Sequence, residues 1–190
     1  MRLLLPTAFL LLLFSCGQQK PKGPTRAERA RDYNDRIITI HDSVFAARNN
    51  MATEIGSKPI GDARKMLGQF LVTVNRWQDT LRAMPDFEGD STLRHAAWEL
   101  LDAYKSESSH LNSMLPILYT EDAIDTLLFP DSIAPPDSLD PNEQLAETYQ
   151  AIQRKADASF KALDNFYTVQ QLFALKFGFR LAVSSPPESK

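Results

Sequence analysis

The sequence predicts an all-α protein, an up-down-up-down four-helix bundle with long helices. Three observations lead there. Four long stretches each repeat an apolar residue at alternating steps of three and four, the spacing of one helix face. Period-two alternation is scarce and no Asn-Gly hairpin turn occurs. Short Pro- and Gly-marked breaks join the first three stretches, so those helices should run antiparallel to their neighbours. The competing architecture is a pair of elongated helical hairpins that closes only by dimerising.

The first helix should begin at Thr25. Thr25 and Glu28 form a capping box, in which the hydroxyl accepts from the first turn and the carboxylate reaches back. Its apolar seam is Tyr33, Ile37, Ile40, Val44, Ala47 and Met51, and Gly56 ends it. The second seam runs Ala63, Leu67, Phe70, Val74, Trp77, Leu81 and Met84, stopped by Pro85. The third starts from Asp90 or Ser91, both good N-caps, and follows Leu93, Ala97, Leu100, Tyr104, Glu107, Leu111, Met114 and Leu118. Pro116 should kink or fray its last turns. The fourth opens with Asp140 as cap, Pro141 in the first position and Glu143 completing a box. Its seam is Leu145, Tyr149, Ile152, Ala156, Ser159, Leu163, Phe166, Gln170, Phe173 and Phe177. Between helices three and four, residues 120–139 are rich in Asp and Pro, and Leu127-Leu128-Phe129 is expected to fold back over an open end of the core.

Upstream of the bundle, the chain reads as a leader and a tether. Arg2 precedes an apolar run over residues 3–14, too short to span a bilayer and shaped like a signal h-region. Leu13-Phe14-Ser15-Cys16 resembles the lipobox cut by lipoprotein signal peptidase, which implies cleavage before Cys16 and lipidation of its thiol. The resulting division is a signal peptide (1–15), a lipidated tether (16–24), a bundle domain (25–183) and a disordered tail (184–190). Gly17 follows the cysteine in place of the aspartate that marks inner-membrane retention, so the expected location is the outer membrane of a bacterial envelope. Cys16 is the one cysteine of the 190 residues, which leaves the bundle without a disulfide, a thiolate ligand or a thiol nucleophile. The net charge of −3, one unit more acidic without Arg2, gives no reason to expect nucleic acid.

Candidate chemistry is sparse. Glu107 and His110 form Glu-x-x-His on one helix face, as in carboxylate-bridged di-iron bundles. The second such motif and the facing Glu pair of that class are missing, so no metal is expected. Glu107, Ser159 and Gln170 still interrupt apolar seams, and a buried carboxylate needs a partner or water. Glu107, His110 and Gln170 therefore make a candidate interior polar site. It would serve as a register device or, alternatively, as a pocket for a small ligand or metal, with Ala156 and Ser159 opposite Glu107. His95 and Glu99 read as a surface pair, and His41 with Asp42 as the solvated side of helix one. The aromatics Tyr149, Phe160, Phe166, Tyr167, Phe173, Phe177 and Phe179 cover more than one stripe of helix four. Core filling accounts for most of them, and a partner-facing patch for the excess. No phosphate loop, nucleophile elbow or His-Glu-x-x-His is present, so no cofactor and no catalytic residue is expected.

Three phrases carry a wider likeness: Tyr33-Asn34-Asp35 with Ile37, Phe87-Glu88-Gly89-Asp90 with Leu93 and Ala96, and the run from Phe173 to Phe179. In this order, behind a lipoprotein leader, the chain resembles a family of all-helical bacterial surface or envelope lipoproteins with no assigned activity. That resemblance implies a lipid-anchored helical bundle and transfers no catalytic residue. The expected function is accordingly non-enzymatic: a membrane-anchored module that binds an envelope protein partner or supports an assembly.

Overall fold

A computed structural model describes residues 23–124 and 141–181. The expected signal peptide, Cys16, the Leu127-Leu128-Phe129 segment, Asp140 and the expected tail lie outside the described residues. Thr25 starts α1 (Arg26–Glu54) through the expected box: its Oγ1 accepts from the Glu28 amide at 3.2 Å, and Glu28 Oε2 accepts from the Thr25 amide at 2.6 Å. That backbone donor and the hydroxyl hold the Glu28 carboxyl below its ordinary range. A single 3₁₀ turn (Ile55–Ser57) then leads into α2 (Ile60–Ala83), whose end precedes Pro85. The remaining helices are α3 (Thr92–Ile124) and α4 (Pro141–Phe177). Pro116 lies within α3, which runs on past it to Ile124.

The four helices pack in sequence as an up-down-up-down bundle. α1 also reaches α3 across the core, whereas the described parts of α2 and α4 keep their backbones more than 8 Å apart. The section is thus a flattened diamond with α1 and α3 on its short diagonal. Ile37, Val44, Leu67, Val74, Leu81, Leu93, Leu100 and Phe166 are fully buried within it. α3 and α4, at 33 and 37 residues, are longer than α1 and α2. Tyr119 shows where they pass the shorter pair, because its hydroxyl is shared between the carbonyl oxygens of Ile55 (2.9 Å) and Lys58 (2.8 Å) in the α1–α2 turn.

This difference in length corrects the expected seam of α4. Tyr149 was expected inside, yet it is 56% exposed and Thr148 is buried instead. α1 and α4 pair through Asn34–Gln170 and His41–Phe166, a register in which α1 ends before the level of Tyr149. With α1 gone, the first turns of α4 have α3 to pack on, and their buried direction rotates toward it.

The opposite end of the bundle is closed by a tight turn. Phe87 and Asp90 exchange two backbone hydrogen bonds, of 3.1 and 2.9 Å, around Glu88 (φ 51°) and Gly89 (φ 81°). Two successive positive φ angles make this a type I′ turn, which Gly89 adopts freely and Glu88 does not. Glu88 is held there from α1: its carboxylate accepts from Arg26 Nε at 2.7 Å and from an Arg29 guanidinium nitrogen at 3.1 Å. Asp90 accepts from Thr92 at the start of α3 and pairs with Lys176 at the end of α4. Burial raises the Asp90 carboxyl, but the Lys176 and Thr92 hydrogen bonds outweigh it and leave the group below its usual range.

Candidate functional site

The two ends of the bundle hold different chemistry. At the end formed by the start of α1, the α2–α3 turn and the end of α4, the three phrases noted in the sequence converge. Tyr33 lies 5.5 Å from Phe87 and 5.9 Å from Phe173, ring to ring. Phe87 meets Phe173 at 5.8 Å and Phe177 edge-on at 4.9 Å, and Phe173 meets Phe177 at 4.6 Å. Gly178 (φ 73°) ends α4 in a Schellman motif, with the Phe179 amide donating to Ala174 at 3.1 Å. That reversal returns Phe179 to the cluster, 6.2 Å from Phe173. Phrases separated by up to 140 residues thus build one aromatic plug, and core filling explains these rings.

Gln170 belongs to this end. Its amide donates to Asn34 Oδ1 at 3.0 Å, a buried bond between α4 and α1. Gln170 therefore does not join Glu107 and His110, which stand about 20 Å along the bundle from it at 1.5 Å per residue. Asn34, the missing partner, was one position after Tyr33 on the expected seam, where a polar residue reads as exposed. A register role is testable here. Gln170→Leu strands the Asn34 carbonyl and should cost about 1–3 kcal/mol, while Asn34→Leu with Gln170→Leu should recover part of it. A double-mutant cycle from urea unfolding gives the coupling.

Glu107 finds its partner in Arg48 of α1, at 2.7 Å, with both side chains 18% exposed. The Arg48 guanidinium also lies 5.1 Å from the centre of the Tyr104 ring. Phe45, Arg48, Tyr104, Ser159, Phe160 and Leu163 line a recess of about 10 Å³, room for one water-sized molecule. Ser159 thus shares a recess with Arg48, the partner of Glu107. Tyr104 Oη, Glu107 Oε2, His110 Nε2 and Ser159 Oγ find no hydrogen-bond partner among the described residues. Desolvation pushes the buried Tyr104 phenol up to about 12.

No protein-family model matches this chain, and neither a curated protein nor a solved structure is similar to it. The residues themselves must carry the reading. Among the described residues no three His, Cys, Asp or Glu side chains converge as metal ligands would. His95 makes the expected surface pair with Glu99 at 3.2 Å.

His41 departs from expectation. It is 4% exposed, not solvated, with its ring stacked on Phe166 at 5.3 Å and Phe45 at 5.7 Å and Tyr167 against its edge. Its Nδ1 lies 3.0 Å from Asp42 Oδ1. α1 faces both α3 and α4, so its buried face is wider than one seam, and His41 fills the α4 side. Beside it Phe45, Phe160 and Tyr167 remain partly exposed along the α1–α4 groove. Farther out, Met114, Ile117, Glu147, Ala151 and Arg154 line an open groove of about 490 Å³ between α3 and α4.

Proposed function

We propose that this chain is a non-enzymatic lipoprotein of a bacterial envelope, a helical bundle held at the outer membrane by lipid on Cys16. In this reading it works by binding an envelope partner or by bracing an assembly. The observation that carries it is Cys16 itself, the lone cysteine, placed after a small residue at the end of a short apolar run. A second support is the use made of the interior polar groups. Glu107 is engaged by Arg48 and Gln170 by Asn34, each linking α1 to a different helix. Such cross-links suit a role in setting helix register.

Several acyl chains on one cysteine hold a protein firmly, at about 0.8 kcal/mol per buried methylene. Cys16→Ser should therefore move the protein from the membrane to the soluble fraction and abolish acyl labelling. Unchanged labelling in that variant would sink the proposal.

A further inference from the structure

We infer that the outward face at the end of α4, carried by Leu172 and Leu175, docks on the lipid surface to which Cys16 tethers the bundle. This inference rests on the lipid-anchor reading and adds the orientation of the bundle on its membrane. Leu172 is 59% exposed and Leu175 is 78% exposed, while Phe173 and Phe177 on the opposite side of the same turns are buried. Spaced by three, the two leucines sit side by side on one face. They lie within about 8 Å of the helix end at 1.5 Å per residue, the depth to which interfacial helices settle.

That end is also where the chain leads back to the anchor. Arg26, the first residue of α1, stands 4.9 Å from the centre of the Phe177 ring. Residues 16–24 span about 30 Å when extended and about 16 Å as a free coil. The tether therefore brings this end to the bilayer, and the far α1–α2 turn is held away from it.

Charge favours the same contact. From Asn165 to Leu181 the chain has no Asp or Glu, and it carries Lys176 and Arg180. Asp32 of α1 is exposed and makes no ion pair among the described residues, but the other acids that neighbouring elements bring to this end are engaged. Glu88 is held by Arg26 and Arg29, Asp86 by Arg94, Asp90 by Lys176, and Glu28 by the α1 cap. An anionic headgroup layer thus meets apolar side chains and Arg180, with most of the neighbouring carboxylates paired. No described helix is long and apolar enough to cross a membrane, which makes the contact interfacial.

The test uses the full acylated protein in vesicles of phosphatidylethanolamine and phosphatidylglycerol. Lipidation consumes the Cys16 thiol, so Leu175→Cys offers one free thiol for an environment-sensitive dye, and Val72→Cys on α2 serves as the exposed reference. The dye at 175 should shift to the blue and be quenched several-fold more by nitroxide lipids than the dye at 72. An acylated, vesicle-bound protein whose dye at 175 stays in water overturns the docking face and leaves the anchor intact. A mass spectrum without acyl chains, with dye on two thiols, removes the anchor and the docking face together. A dry dye without vesicles that becomes wet on dilution assigns the face to a second copy and overturns the lipid contact.

Discussion

Phe173→Ala should lower the unfolding free energy by about 3–5 kcal/mol, the cost of truncating a buried Phe at a site that cannot collapse. Phe173 is in ring contact with Tyr33 of α1, Phe87 of the α2–α3 turn, and Phe177 and Phe179 at the end of α4. The surroundings are poorly able to relax into the void. Glu88 is tied to Arg26 and Arg29, and Asp90 to Lys176, so the turn that holds Phe87 is fixed to both neighbouring helices. Removal of one ring thus opens a cavity where three distant segments meet. The urea midpoint should fall sharply with an unchanged slope, whereas Leu175→Ala, at an exposed position two residues on, should change stability by under about 0.5 kcal/mol. Equal effects for the two variants would mean that the plug is not the keystone of that end.

The second large effect is alkaline. In the unfolded chain the Tyr104 phenol titrates near its ordinary value of 10.0, but in the folded protein burial holds it up at about 12. The unfolded state therefore releases a proton first, and stability falls as pH rises between those two values. Over two pH units this amounts to about 3 kcal/mol, with the loss levelling off above the folded value. Tyr33 and Tyr167 are raised in the same direction, chiefly by burial, so the decline persists in weaker form without Tyr104. Tyr104→Phe should be neutral or slightly stabilising at pH 7, because its hydroxyl finds no hydrogen-bond partner among the described residues. It should also flatten the slope of unfolding free energy against pH between 10 and 12. An unchanged slope in that variant would assign the alkaline loss elsewhere.

The helices themselves were legible in the sequence because their signals are local. The Thr25–Glu28 box, the break at Pro85, the start signal at Asp90 or Ser91 and the three- and four-residue seams act within one or two turns. Polar positions were read less well. Glu107 announced itself by breaking a seam, but Arg48, which holds it, looks like any surface arginine on α1. Gln170 was visible for the same reason, and nothing local ties it to Asn34 rather than to Glu107. Their separation comes from helix register, which depends on how α1 and α4 slide past one another. His41 and Tyr149 exchanged places with expectation for a related reason. A seam shows that a helix has a buried face, but the width and local direction of that face depend on how many neighbours it meets.

By itself, then, the sequence determined four helices, their order, the capping box of the first and most of the residues that line their common core. Periodicity and capping are properties of contiguous residues, so they need no partner to be read. The tertiary structure alone decided that Tyr33, Phe87, Phe173, Phe177 and Phe179 form one plug. It alone paired Arg48 with Glu107 and Asn34 with Gln170, and left Leu172 and Leu175 facing outward at the end where α1 begins. Most of these are relations between residues 54 to 140 positions apart, and only the lengths and register of whole helices bring such residues together.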